Sequence, residues 1–103
     1  MLRIYIFLKK VKSHPALYLG KKDITALSQA LAGYEEAIFD LTGERVQFNS
    51  KFQQFAEYKF KTESTITVHW TKILSHNRRE DEAFDLFFEL LDEFFERYED
   101  SKS

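Results

Sequence analysis

The run from Glu80 to Glu99 constrains this chain more than any other stretch. Phe84, Phe87, Phe88, Leu91, Phe94, Phe95 and Tyr98 recur at spacings of three and four. That period places them on one side of a helix. Glu82, Asp85, Glu89, Asp92, Glu93 and Glu96 fill the other side. The spacing therefore predicts an amphipathic helix over 80–99. Its aromatic stripe has to be covered, so the rest of the chain must supply a matching apolar surface. Punctuation is sparse, with one Pro and three Gly in 103 residues, and few breakers mean long elements.

A second helix is expected over 23–42. Asp23 is placed to cap its free amides. Ile24, Leu27, Leu31, Tyr34, Ile38 and Leu41 follow on one stripe. Gly33 costs about 1 kcal/mol against Ala inside a helix and suggests close approach to another backbone. Gly43, tolerant of positive φ, is a good stop.

The other segments are read more coarsely. Residues 2–12 fit a helix through Ile4, Phe7, Leu8 and Val11, ended by Pro15; the alternation over 2–8 leaves a strand open. Residues 16–22 read as a connector, with Tyr18 and Leu19 turned inward and Gly20 in a turn. An extended link over 44–48 precedes a helix capped by Asn49 or Ser50. That helix runs to Phe60 and buries Phe52, Phe55, Ala56 and the stem of Lys59. Residues 61–65 read as loop. Residues 66–76 lean to helix, with strand left open at 66–70, and Asn77–Arg79 as a turn. The expectation is an all-α single domain over 1–103, a bundle of four to five helices, with about 100–103 a frayed tail.

Composition narrows the chemistry. Aromatics make up 17% of the chain, enough buried area per residue to support a folded core. Without Cys there is no disulfide, thiolate metal site or thiol nucleophile. The apolar run Leu2–Leu8 is far short of the roughly 20 residues that span a bilayer, and no signal-peptide cleavage pattern follows it. A cytoplasmic protein is expected, with no membrane partner. His69 and His76 are too few for a metal site and read as surface or capping residues. Adjacent acids such as Glu35–Glu36 point apart on a helix and make no acid/base pair. His14–Gly20 echoes a stretch of gyrase-type ATPases, but the rest of that ATP site is missing. No phosphate loop or nucleophile elbow is present. No enzyme activity, metal or cofactor is expected.

Charge is segregated along the chain. Residues 1–79 carry 13 Lys+Arg against 7 Asp+Glu, while residues 80–100 carry ten acids against Arg97 alone. A negative overall charge and so acidic a helix oppose a phosphate backbone, so no direct nucleic-acid binding is expected. The acids are either the solvated face of the last helix or an interaction surface.

Four stretches together resemble a known family. They are Phe7-Leu8-Lys9-Lys10-Val11-Lys12 running into Pro15–Gly20; Ile24-Thr25-Ala26-Leu27 leading to Gly33-Tyr34-Glu35; His69–Leu74; and Asp81–Phe94. In order, they look like small helical immunity proteins encoded beside bacterial polymorphic toxins, including those of contact-dependent growth inhibition systems. Ala16 departs from the pattern, where Gly is commoner. The resemblance implies a cytoplasmic antitoxin that neutralises one cognate toxin domain, often a basic nuclease. Glu82, Asp85, Glu89, Asp92, Glu93 and Glu96 would be its contact residues and a monomer its favoured state. The rival reading is a helical adaptor that self-associates, or pairs with a helical partner, through the aromatic stripe of the last helix.

Overall fold

The computed structural model describes residues 2–61 and 68–102, with side chains through Arg97 in the last helix. Among the described residues there are six helices and no strand: α1 (Leu2–Ser13), α2 (Pro15–Leu19), α3 (Ile24–Thr42), α4 (Phe48–Phe60), α5 (Trp70–Ser75) and α6 (Glu80–Lys102). The protein is all-α, with α1, α3, α4 and α6 long and α2 and α5 one or two turns each. None of these helices is long and apolar enough to cross a membrane.

The core is built around α6. Ala83, Phe84, Phe87, Phe88, Leu90, Leu91 and Phe94 are buried along it, and Phe95 packs at the edge. The expected stripe is therefore internal, widened by Ala83 and Leu90; the side chain of Tyr98 lies outside the described residues. The facing surface comes from Ile4, Leu8 and Val11 of α1, Ile24, Leu27, Leu31 and Ile38 of α3, Phe48, Phe52, Phe55 and Ala56 of α4, and Trp70, Ile73 and Leu74 of α5. Phe52 is the hub. Its ring meets those of Phe48, Phe55, Trp70, Phe87 and Phe94 at centroid distances from 5.0 to 5.8 Å, the range of favourable stacked and edge-to-face contacts.

Several local expectations change. Pro15 ends α1 but also opens α2, where its missing N–H costs nothing because first-turn amides have no helical acceptor. Tyr18 is exposed rather than turned inward, its ring edge-on to Phe7 at 6.2 Å, while Leu19 packs against the core. Gly20 caps α2 in the left-handed region at φ +80°. Leu41, expected on the α3 stripe, is 85% exposed. Gly33 is exposed, and a Cβ there would meet nothing within 4 Å, so no close backbone approach explains it. Helix α4 starts at Phe48, with Asn49 inside its first turn. Residues 62–67, which include most of the expected loop and the start of the 66–76 segment, lie outside the described residues. Val68 and His69 precede α5 rather than belonging to it. Helical backbone continues to Lys102, past the expected end at 99.

Helix starts are held by a local cap at Asp23 and, beyond it, by side chains from other helices, a device invisible in local sequence. Asp23 accepts from the Ala26 amide at 2.6 Å, as expected. Glu80 of α6 takes the next free amide of α3, at Thr25, at 3.2 Å and the Thr25 hydroxyl at 3.0 Å. Glu35 of α3 does the same for α4, accepting from the Asn49 amide at 3.0 Å and its Nδ2 at 2.9 Å. The Asn49 Oδ1 in turn accepts from the Trp70 indole at 3.1 Å. Gln53 fixes the approach to α5, accepting from the Trp70 amide and donating to the Val68 carbonyl, both at 2.7 Å. First-turn amides have no acceptor within their own helix, so the contacts to the Thr25, Ala26, Asn49 and Trp70 amides hold the starts of α3, α4 and α5.

Candidate interaction surface

The six acids expected to meet a partner lie on α6 opposite the buried stripe. At 100° per residue, Glu89 and Glu96 form the crest. Asp85 and Asp92 lie along one flank and Glu93 along the other.

The flanks are neutralised from within. Lys22, in the α2–α3 connection, meets Asp85 at 2.9 Å. Lys9 of α1 meets Asp92 at 3.5 Å, and the Tyr5 hydroxyl donates to the same carboxylate at 3.3 Å. On the other side Lys59 of α4 holds Glu93 at 2.9 Å, with Arg97 of α6 at 4.0 Å. These bridges are substantially exposed, and such pairs are worth about 0–1 kcal/mol each. Their main effect is on the field: each brings a cation to the flank of the ridge. Burial pulls the Lys9 ammonium down, but hydrogen bonding to Tyr5 and the charge of Asp92 outweigh it and hold it above its ordinary value.

Glu82 is engaged at the start of its own helix. It sits three residues after Arg79 and accepts from the Arg79 backbone amide at 2.9 Å, the backward half of a capping box. Arg79 also pairs with Asp81 at 3.1 Å. Glu89 and Glu96 are exposed and make no ion pair or side-chain hydrogen bond among the described residues. Of the expected contact set, only these two present uncompensated charge. The lysines that divide the set come from three other segments, and no local signal marks Lys9, Lys22 and Lys59 among the scattered basic residues.

Beside the ridge, an open groove of about 510 Å³ runs between α6 and the α1–α2 region. Its polar lining is Lys12, Lys22, Asp85, Glu89 and Asp92 over Phe84 and Phe88. These groups recognise charge; the lining holds no hydroxyl or imidazole to attack or relay a proton. The histidines lie elsewhere. His69 precedes α5 and accepts from the Thr71 amide through Nδ1 at 3.2 Å, while His76 follows the helix at its other end. They are the two caps of one short helix and do not converge. Among the described residues no group of three or more His, Asp or Glu side chains could hold a metal ion. Compared with known proteins, the chain matches no protein-family model, no curated protein and no solved structure.

Proposed function

We propose that this protein is an immunity protein that binds a basic toxin domain, probing it with the crest of α6. The observation that carries the reading is the pair Glu89 and Glu96, exposed and unpaired on a ridge whose flanks are already compensated. Two carboxylates two turns apart can meet cations arranged to grip phosphates, and the field of the ridge speeds encounter with such a surface. Asp85, Asp92 and Glu93 take part less directly, since a toxin lysine or arginine must displace Lys22, Lys9 or Lys59 to reach them. The adaptor reading loses its motive, because the aromatic stripe it relied on is covered by α1, α3, α4 and α5.

The test is growth rescue in a bacterium that expresses the C-terminal domain of the polypeptide encoded immediately upstream, with and without this protein. The wild-type chain should restore growth. Glu89→Lys/Glu96→Lys should remain folded and fail to restore it. Reversing Asp85 or Asp92 is a poorer test, because it sets like charges against Lys22 or Lys9. Full rescue by the double variant would remove the crest from the mechanism, and no rescue by the wild type would remove the toxin.

A further inference from the structure

The exposed apolar side chains are unevenly placed. Among the described residues seven large ones are exposed, and five of them, Leu2, Ile6, Leu17, Tyr18 and Leu41, belong to α1, α2 and the end of α3. On α1, Leu2, Arg3, Ile6 and Lys10 fall within an arc of about 100°, opposite buried Ile4, Leu8 and Val11. Tyr18 of α2 joins this face, lining one shallow groove of about 420 Å³ with Ile6 and Lys10. Tyr34 brings α3 alongside, its ring stacked on Phe7 at 4.5 Å. From Tyr34 toward solvent, that flank of α3 carries Leu41, Ala30, Ala37 and Gly33, all uncharged. Residues 2–22 hold six Lys+Arg and no acidic residue. Arg3 and Lys10 are exposed and make no ion pair among the described residues. Helix α6 packs against the other edge of α1, with Tyr5 edge-on to Phe95 at 4.8 Å and Lys9 on Asp92 at 3.5 Å. The acidic ridge therefore stands apart from this apolar and basic face.

We infer that the α1–α3 face docks on an anionic lipid surface. Leu2, Ile6 and Leu41 enter the boundary between headgroups and acyl chains, as the apolar face of an interfacial helix does. Arg3 and Lys10 meet the headgroup phosphates while their stems lie along apolar surface. Tyr18, apolar in its ring and polar at its tip, suits the same depth. Nucleic acid offers phosphates but nothing to cover three aliphatic side chains. A second copy offers aliphatic side chains but the same cations, which repel when the face meets itself. A bilayer with anionic headgroups offers both parts at once. The acids of α3, Glu36 and Asp40, lie beyond Gly33 on the flank away from α1, and Glu36 is paired with Arg45 at 3.2 Å. Glu44 is the one acid that shares a cleft with Leu2 and Arg3, and two further cations, Arg45 and Lys51, line that cleft with it. The contact is peripheral and needs no membrane-spanning helix, so it adds a membrane partner that the lengths of the apolar runs do not reveal. It stands apart from the toxin reading and leaves Glu89 and Glu96 uncovered.

Cosedimentation of the full chain with vesicles tests it, with circular dichroism to verify the folding of each variant. In about 0.01 M salt the wild type should pellet with vesicles of phosphatidylcholine and phosphatidylglycerol in equal parts, and stay in solution with phosphatidylcholine alone. Salt near 1 M should release it, as the screening length falls from roughly 30 to 3 Å. Arg3→Gln/Lys10→Gln should weaken partitioning roughly 25-fold, about fivefold for each cation removed. Leu2→Ser/Ile6→Ser keeps every cation and should also lose most of the binding, which separates insertion from attraction by charge alone. A wild type that stays in solution with the anionic vesicles, equal binding to both kinds of vesicle, or full binding by either variant would each overturn the inference. Binding to poly-glutamate while the vesicles leave the chain in solution would overturn it too, and would mark the face as a site for an acidic protein. Leu2→Ser/Ile6→Ser should still rescue growth from the toxin, so losing the membrane and losing protection are separately visible.

Discussion

Asp23 shows how much one side chain can set. Burial disfavours its charge, but the Ala26 amide and the Lys21 ammonium together outweigh that and hold its carboxyl below the usual value near 3.8. A lowered carboxyl contributes stability that is complete above the unfolded value and disappears as pH falls through the folded one. Asp23→Ala should cost about 1 kcal/mol at neutral pH, the usual worth of an N-cap. Asp23→Asn should keep much of the cap while flattening the loss of stability below pH about 4, seen as urea midpoints across pH. His69 adds a second acid-side slope. Its ring is partly shielded although the residue as a whole is exposed, and that shielding lowers its proton affinity below the usual 6.5. Only unprotonated Nδ1 can accept from Thr71, so this contribution is present above the unfolded value and lost as pH falls through the folded one. His69→Ala should remove the slope just below pH 6.5 and leave the deeper acid slope in place. Asp23 is readable from sequence because a cap acts on its own neighbours. The Asn49 link between Glu35 and Trp70 is not, because its partners lie 14 and 21 positions away.

Elements divide along the same line. Helices α3 and α6 are plain in the sequence, since long stripes of period 3.6 leave no alternative. Helix α2 is hidden because Pro15 signals both an end and a beginning. The start of α4 is displaced from its best local cap because Glu35 reaches across from α3. Glycines give a direct test of local against tertiary control. Gly33 has room for a Cβ and sits inside α3, so Gly33→Ala should raise stability by roughly 0.5–1 kcal/mol. Gly43 caps α3 at φ +73°, where a side chain is strained, so Gly43→Ala should lower stability by a comparable amount. Thermal unfolding of the two variants should move the midpoint in opposite directions. On α6 the outward acids are equally legible, but their division into capping, paired and unpaired groups is not. It depends on which lysines the fold brings alongside.

For the whole molecule, the decisive contacts converge on few rings. Phe52 touches aromatic partners from α4, α5 and α6, so Phe52→Ala should cost about 3–5 kcal/mol. Stabilities of small domains are only about 5–15 kcal/mol, so this variant should unfold at markedly lower urea and lose the fluorescence signature of buried Trp70. The placement of α6 has a further consequence for synthesis. Phe48, Phe52, Phe55 and Trp70 all find their covering surface in the last of the six helices to leave the ribosome. A nascent chain that has reached Arg79 carries these rings with Phe84, Phe87, Phe88 and Phe94 still untranslated. Its earlier helices can meet one another through Phe52 and Trp70 but lack the rings that complete their core. The apolar surface therefore stays open until late in synthesis, and chaperone occupancy during translation should persist until α6 has emerged.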